Sequence, residues 1–373
     1  MIEVSGKYIS AIIHTDEIED YAIAQILQLC DQTAFEGSRI RIMPDVHPGK
    51  VGPIGFTATV TDKILPAVIG IDIGCGIKIA RIRQKKVEFG KLDAVIRENI
   101  PSGFSTRKSP HRFAEEFDFL RLCCASHIRK DLALQSMGTL GGGNHFIEID
   151  RTESGDLYVV IHTGSRHLGK EVAEHYLIMG HGKNSDSGKK IPHELSWLEN
   201  EQKDAYIHDV GVVQDYAALN RQAILDELTK GMKWKIEEEF DCVHNYIRQD
   251  HAGTTIIRKG AISAEADEKV VIPVNMRDGI ILGAGKGNPD WNCSAPHGAG
   301  RIAKREDIRN SYTVSQYKKE MKGIYSSCIG KGTLDEAPFA YRSMEYVQKA
   351  IKDTVEIKEV LRPVYNFKAG GEA

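Results

Sequence analysis

Six side chains able to bind a metal or react with a phosphate lie far apart in this sequence. They are Asp72 and Cys75 in IGIDIGCGI, His145 in LGGGNHFIE, His162 in IHTGSRH, His244 in CVHNYI and His297 in NCSAPHGAGR. Carboxylate, thiolate and imidazole groups are the usual protein ligands of transition metals. Taken singly, each has a simpler explanation, because an isolated cysteine is usually a small buried apolar residue. Together they indicate one site that only the tertiary fold can assemble, and such dispersal favours a catalytic centre over a structural zinc ribbon.

The pair Asp72 and Cys75 anchors this interpretation. Glycines at positions 70, 74 and 76 flank the pair. An Asp-x-x-Cys sequence in such a turn can aim a carboxylate and a thiolate at one ion. Apolar runs at 68–73 and 77–82 predict strands on either side. We therefore expect the pair to lie in a turn between two strands.

Apolar runs bounded by glycine and proline predict a sheet-rich core. Further strands are expected at 40–43, 55–60, 145–149, 157–162, 254–257, 270–273, 280–283 and 360–367. Amphipathic spacing predicts helices at 16–31, 212–229 and 343–351, with a polar loop at 180–190 and a glycine-rich tail after Lys368. The fold class expected is α+β, with central, mostly antiparallel β-sheets surrounded by helices. We expect a single domain over 1–373, with a helical excursion at about 195–235.

Composition limits the class of protein. The chain has 373 residues, of which 41% are hydrophobic and 27% charged, enough for a sizeable core. No apolar run approaches the ~20 residues of a membrane span, and the first residues lack a signal peptide, so we expect a cytoplasmic protein without a membrane partner. Seven cysteines without paired CxxC spacing argue against a disulfide framework. Because the formal net charge is −3, a polyanionic partner must be held by a local basic groove.

Three glycine-rich or small-residue segments could contact phosphate. The run 141–143 precedes Asn144 and His145, residues 162–167 include Arg166, and residues 294–301 place His297 beside Arg301. A tight glycine turn is the competing explanation for the first. No GxxxxGK[ST] loop is present, and Lys-x-Asp-Gly is absent. If a nucleotide is transferred to the protein, His297 is the better acceptor.

The motifs together resemble the RtcB family of GTP-dependent RNA ligases. They appear in the family's order over nearly the whole chain, as MPDVHPG at 43–49, GIDIGCG at 70–76, GGGNHF at 141–146, HTGSR at 162–166, HN at 244–245 and HGAGR at 297–301. The resemblance implies that five residues hold two Mn²⁺ ions with a bridging thiolate, namely Asp72, Cys75, His145, His162 and His244. By itself, this ligand set favours zinc. The resemblance also implies that His297 carries a covalent GMP.

The resemblance implies a nucleotide site as well. Asn144 and Phe146 would lie by the phosphates and sugar, Glu148 and Lys368 would bind the guanine edge, and Tyr341 would stack on the base. The segment His297, Gly298, Ala299, Gly300 and Arg301 would surround the transferred phosphate. The sequence departs from the family at 272–279, where Asn275, Arg277 and Asp278 replace a serine-bearing turn that helps to bind guanine. The departure falls in the guanine-binding part of the site and leaves the metal ligands unchanged, and the chain resembles a shorter, divergent branch.

The activity implied is the joining of RNA 3′-phosphate or 2′,3′-cyclic phosphate ends to 5′-hydroxyl ends, in RNA repair or tRNA splicing. RNA would be the partner, and the need for an archease-like activator stays open. Two alternatives remain: a metal-dependent phosphoesterase that opens cyclic phosphates, and a non-catalytic protein that binds RNA ends. Only the ligase needs a nucleophile in addition to metal ligands, so His297 discriminates among the three.

Overall fold

The computed structural model describes residues 1–186 and 191–369. The strands are β1 Ile2–Ser5, β2 Ser10–Ile13, β3 Ile40–His47, β4 Ile54–Thr59, β5 Lys63–Ile64, β6 Gly76–Ile82, β7 Phe146–Arg151, β8 Leu157–Thr163, β9 Leu198–Glu199, β10 Ile236–Val243, β11 Asn245–Gln249, β12 Thr255–Lys259, β13 Ala261–Ser263, β14 Lys269–Asn275, β15 Gly279–Gly285, β16 Ser294–Pro296 and β17 Val355–Lys368. The α-helices are α1 Asp20–Cys30, α2 Pro66–Ile69, α3 Phe89–Asn99, α4 Lys130–Ser136, α5 Arg166–Asp186, α6 Glu201–Met232, α7 Arg305–Ser311, α8 Val314–Glu320 and α9 Met344–Ala350.

Two large sheets organise the chain. One has six strands in the order β1-β2-β3-β4-β12-β11, and the other has seven in the order β10-β6-β8-β7-β17-β15-β14. Within the described ranges, the strand pairs are antiparallel except for β2 with β3. The predicted α+β class with mostly antiparallel sheets is therefore confirmed.

The local predictions hold for most strands and fail at two places. Residues 68–73 are not a strand, because Pro66 starts the short helix α2 and Gly70, at φ +83°, ends it. The turn with Asp72 and Cys75 therefore joins a helix to β6, and the prediction that it lies between two strands is wrong. Helix α5 continues to Asp186, so the prediction of a polar loop is wrong for residues 180–186. Residues 187–190 and the tail from Gly370 onward lie outside the described residues.

The seven-stranded sheet packs on both faces. Ile77, Ile79 and Val160 face a cluster formed with β14 and β15, whereas Ile147 and Val159 face α3 and the second half of α6. Alternate residues of one strand thus supply both cores, as the period of two in a strand requires.

In the part of the chain that the structure describes, the helices are too short or too polar to cross a bilayer.

The register of this sheet aligns the ends of five neighbouring strands. Gly76, which begins β6, pairs with Thr163 at the end of β8 and with Val243 at the end of β10. Phe146, which begins β7, pairs with His162 on β8 and with Lys368 at the end of β17. Because antiparallel neighbours alternate in direction, three of these strands end and two begin at the same end of the sheet. The candidate site lies there.

Candidate active site

The five predicted metal ligands meet at this end of the sheet. Cys75 immediately precedes β6, His145 precedes β7, His162 is near the end of β8 and His244 follows β10. Asp72 belongs to the turn before β6. Segments far apart in sequence therefore converge because strand register, and not local sequence, sets their positions.

The ligand atoms are within coordination range of one another. The Cys75 Sγ lies 3.5 Å from His145 Nε2 and 3.4 Å from His162 Nε2. Asp72 Oδ2 is 3.1 Å from His145 Nε2. His162 Nε2 is 3.3 Å from His244 Nε2. The contacts therefore run in a chain from Asp72 through His145, Cys75 and His162 to His244.

The residues form two candidate ion sites that share one sulfur. Asp72, Cys75 and His145 place their ligand atoms within 4.8 Å of one another, and so do Cys75, His162 and His244. Cys75 belongs to both groups. A thiolate can bridge two cations, so the donor set fits a pair of metals that share Cys75.

The histidine rings are oriented by backbone carbonyls. His145 Nδ1 donates to the Leu140 carbonyl at 2.9 Å, and His162 Nδ1 donates to the Asn144 carbonyl at 3.2 Å. A carbonyl only accepts, so both Nδ1 atoms carry a proton, and in the neutral form of each ring the lone pair is on Nε2, which faces the centre. Metal-binding histidines are typically fixed in this way.

Burial sets the charge of these groups before any cation binds. Burial lowers the pKa of His162 and of His244 well below the usual range, so both rings are neutral, as ligands must be. Burial also raises the pKa of the Cys75 thiol, and the Asp72 charge acts in the same direction. Burial would raise the pKa of Asp72, but the hydrogen bond and charge of a protonated His145 bring it to about 2. A bound cation would take the place of that charge and would displace the proton of the Cys75 thiol.

Helix α6 supports the turns that carry the ligands. Arg221 is fully buried, and its Nη1 donates to the Gly74 carbonyl at 2.8 Å and to the Thr163 carbonyl at 3.1 Å. The neighbouring Asn220 Nδ2 donates to the Gly164 carbonyl at 2.9 Å. One helix thus fixes both the turn before β6 and the segment after β8.

His297 lies beside the candidate metal ligands and is held by an aspartate. Its ring centroid is 4.8 Å from that of His244. Its Nδ1 lies 2.7 Å from Asp45 Oδ2, and its backbone N–H donates to the same oxygen at 3.2 Å. Asp45 is almost fully buried. A carboxylate that accepts from Nδ1 leaves Nε2 unprotonated, as a nucleophile requires.

A cavity adjoins His297 and holds most of the predicted nucleotide-binding residues. Its lining includes Asn144, Phe146, Glu148, Asn275, His297, Gly298, Ala299, Gly300, Arg301, Tyr341 and Lys368. Asp278 does not line the cavity. Its Oδ2 accepts from Asn275 Nδ2 at 2.9 Å, and its Oδ1 accepts from Arg277 Nε at 2.7 Å. The structure therefore places Asp278 behind Asn275, which it orients.

A buried glutamate that the sequence analysis missed links two of these residues. Glu336 Oε2 accepts from Lys368 Nζ at 2.7 Å and from the Tyr341 hydroxyl at 2.6 Å. Burial would raise the pKa of Glu336, but the charges of Lys368 and Arg305 bring it to about 2. Lys368 is thus held by Glu336 and not by Glu148. No motif identifies Glu336, whereas Asp45 and His47 stand in the MPDVHPG motif and could have been assigned from it.

Glu148 occupies the inner wall of the same cavity. Its carboxylate accepts from Asn366 Nδ2 on the adjacent strand β17. Burial raises the pKa of Glu148 to about 7. Asp150, two residues along β7, is fully buried, and its pKa is raised by burial and by the charge of Glu148. Of this pair, Glu148 therefore titrates near neutral pH.

A second cavity opens on the other side of the metal ligands. Asp72, His145, Arg166, His167 and Lys170 line it, together with Gly142 and Gly143. Phe104 is at its rim and is 86% exposed. The first cavity includes His162 and His297, and the second includes Asp72 and His145. The metal ligands thus separate two cavities of different lining.

Comparison with known proteins agrees with this arrangement. The family model described as "tRNA-splicing ligase RtcB" matches residues 28–124 and 121–369. The chain is 28% identical to the RNA-splicing ligase RtcB of Escherichia coli K12, with 90% of this chain and 91% of that protein covered. It is 27% identical to an RNA-splicing ligase RtcB2 of E. coli, with 98% and 99% covered. It is also 27% identical to the tRNA-splicing ligase RtcB of Pyrobaculum aerophilum, with 86% and 85% covered. Because the family model spans most of the sequence, the chain belongs to the RtcB family of tRNA-splicing ligases.

Proposed function

We propose that this enzyme joins RNA 3′-phosphate or 2′,3′-cyclic phosphate ends to 5′-hydroxyl ends, using GTP and a GMP intermediate on His297. The observation that carries the proposal is the position of His297. Its ring is held by Asp45, contacts the metal ligand His244 and borders the cavity with the predicted nucleotide residues. A phosphoesterase or an RNA-end binding protein would need the metal ligands but no oriented nucleophile.

The metal sites would hold two Mn²⁺ ions, one with Asp72, Cys75 and His145 and the other with Cys75, His162 and His244. The shared Cys75 and the neutral, oriented histidines support this assignment. Two ions would neutralise charge on the attacking and leaving oxygens of a phosphoryl transfer. A cysteine with three histidines would equally suit zinc, so manganese rests on the family.

The first covalent step uses the His297–Asp45 pair. The Nδ1–H donates to Asp45, and the Nε2 lone pair attacks the α-phosphorus of GTP. A P–N bond forms, the bond to the bridging oxygen breaks and pyrophosphate leaves. An oxygen of the RNA 3′-phosphate then attacks the phosphorus of the adduct, the P–N bond breaks, and the lone pair returns to Nε2, which restores neutral His297. Finally the 5′-hydroxyl attacks the phosphorus of the RNA 3′-phosphate, its proton leaves to solvent, and GMP departs as the bond to it breaks.

The first cavity would hold the guanosine. Glu148 would accept from the N1 and N2 donors of guanine, and Tyr341 would stack on the base. Lys368, held by Glu336 beside Phe146, would donate to the guanine edge. Asn275 lines the cavity where the family has a serine, and Asp278 would act only through it.

The second cavity would receive the RNA. Arg166 and Lys170 supply positive charge, and exposed Phe104 offers a surface on which a terminal base could stack. Asp72 and His145 border this cavity, so an RNA end placed there would meet the metal site opposite the nucleotide.

We further propose that residues 1–373 work as one ligase domain in the cytoplasm. The helical excursion at about 195–235 would be built on α6. An archease-like activator would assist turnover.

The decisive experiment is covalent labelling. Purified protein is incubated with Mn²⁺ and [α-³²P]GTP and then denatured. Wild type should retain label that is labile in acid and stable in base, as a phosphoramidate is, and His297→Ala should retain none. His175→Ala, a histidine on α5 outside both cavity linings, is the control and should label normally.

A second substrate separates activation from sealing. His297→Ala should not ligate a 3′-phosphate RNA but should still seal an RNA already carrying GMP at its 3′ end. If this variant joins unactivated ends with GTP at the wild-type rate, the proposed nucleophile is wrong. If wild type opens cyclic phosphates but never takes up label, the phosphoesterase explanation replaces the ligase.

A further inference from the structure

A second group of metal-binding side chains lies away from the active site. Cys123, His208 and Asp209 place one sulfur, one ring nitrogen and one carboxylate oxygen within 4.8 Å of one another. Cys123 stands in the segment between two 3₁₀ turns, Phe119–Arg121 and Ala125–His127, and the other two residues lie on α6. None of them lines either cavity described above.

Asp209 is fixed in place beside the Cys123 thiol. It is fully buried. Its Oδ1 accepts from the Cys123 N–H at 2.8 Å, and its Oδ2 accepts from the Cys124 N–H at 3.1 Å and from the Tyr176 hydroxyl at 2.8 Å. The Cys123 thiol also hydrogen-bonds to this carboxylate, so a cation that replaced the thiol proton would lie between the sulfur and the carboxylate.

His208 is also oriented by the backbone. Its Nε2 lies 2.9 Å from the Arg121 carbonyl. Because a carbonyl only accepts, Nε2 carries the proton and Nδ1 offers the lone pair. The Cys123 side chain is exposed, so a cation can reach the site from solvent. The Arg121 guanidinium pairs with Asp215, so it does not neutralise the carboxylate of Asp209.

We propose that Cys123, His208 and Asp209 bind one Zn²⁺ ion, with water as the fourth ligand. A thiolate with an imidazole and a carboxylate suits zinc better than manganese, because the thiolate is a soft ligand. Ligand atoms around tetrahedral zinc lie roughly 3.3–3.8 Å apart, given bonds of about 2.0–2.3 Å, so small side-chain rotations close the site. On binding, the Cys123 proton leaves to solvent and the Zn–S bond replaces the S–H bond.

The ion would join the 119–127 segment to α6, the helix whose Arg221 and Asn220 hold the turns of the active site. The proposed zinc is therefore structural and does not depend on the ligase mechanism. In its absence, the Cys123 thiol would simply remain beside Asp209.

Cobalt isolates this site from the active site. Co²⁺ bound to a thiolate gives a sulfur-to-metal charge-transfer band, and in Cys75→Ala the remaining active-site histidines cannot produce one. Co²⁺ added to Cys75→Ala should give this band at one equivalent, and Zn²⁺ should abolish it. Cys75→Ala/Cys123→Ser and Cys75→Ala/His208→Ala should lose the band. Cys75→Ala/Cys328→Ser should keep it, since Cys328 lies outside the cluster. No band in Cys75→Ala, or one that survives Cys123→Ser, overturns the proposal.

Metal content provides a test that needs no active-site substitution. After zinc loading and removal of free metal, Cys123→Ser should contain one equivalent less zinc than wild type, and Cys328→Ser should match wild type. Equal zinc in the Cys123→Ser and Cys328→Ser proteins would refute the site even if Cys75→Ala does not fold.

Discussion

Replacement of Arg221 by methionine tests how the fold supports the active site. The guanidinium is fully buried and makes three interactions, with the carboxylate of Asp241 at 2.5 Å and with the carbonyls of Gly74 and Thr163. Methionine has a similar length and adapts to irregular cavities, so the lost polar contacts dominate the effect.

The size of the effect follows from the groups left behind. Removing one partner of a buried ion pair costs about 3–5 kcal/mol. The Asp241 side chain is 26% exposed and retains Lys78 Nζ at 2.8 Å, and both facts favour the lower end of that range. The two carbonyls lose their donor, and each unsatisfied buried acceptor costs about 1–3 kcal/mol, part of which overlaps the first figure. We expect Arg221→Met to lower the free energy of unfolding by about 4 kcal/mol, a large share of the ~5–15 kcal/mol typical of a domain.

Urea unfolding measures this loss, with Arg121→Met as the matched control. Arg121 pairs with Asp215 at 2.5 Å, but the two side chains are 47% and 56% exposed, so its loss should cost about 0–1 kcal/mol. Arg221→Met should also bind less Mn²⁺, because the Gly74 turn loses its donor. If both variants unfold at the same urea concentration, the buried arginine does not anchor the site and the reasoning fails.

Four further predictions concern the chemistry. Asp45→Asn should slow formation of the GMP adduct by on the order of 10²–10⁴-fold, because His297 loses the acceptor that fixes its protonation, and an unchanged single-turnover rate would contradict this. Cys75→Ala should lose manganese and every catalytic step together, whereas normal metal content with normal labelling would exclude the bridge. Glu148 should favour GTP over ATP, since a carboxylate accepts from guanine N1 and N2 but meets an acceptor at adenine N1, and equal adduct yields from the two nucleotides would show a changed base pocket. Because burial raises the pKa of Glu148 to about 7 and guanine needs the ionised form, the KM for GTP should rise as pH falls through 7, and Glu148→Gln should lose that dependence.

The sequence alone was sufficient to select the candidate metal ligands and to predict most strands. The motif residues Asp72, Cys75, His145, His162 and His244 were identified by side-chain type and glycine context, and the structure brings all five together. Strands such as β7 and β8 were predicted because their apolar residues are continuous or alternate, a pattern that depends only on local backbone geometry. The helix α2 was missed because Pro66 and Gly70 outweigh the apolar run between them.

Only the tertiary structure decided which residues act on one another. Asp45 and His297 are 252 residues apart, and their hydrogen bond exists because the ends of β3 and β16 are brought together. Glu336 was invisible in the sequence, since a glutamate in a 3₁₀ turn gains its role only from its contacts with Lys368 and Tyr341. Local periodicity fixes which face of a strand a residue occupies. Sheet register and turn geometry fix which distant residue it meets, and these depend on the packing of the whole chain.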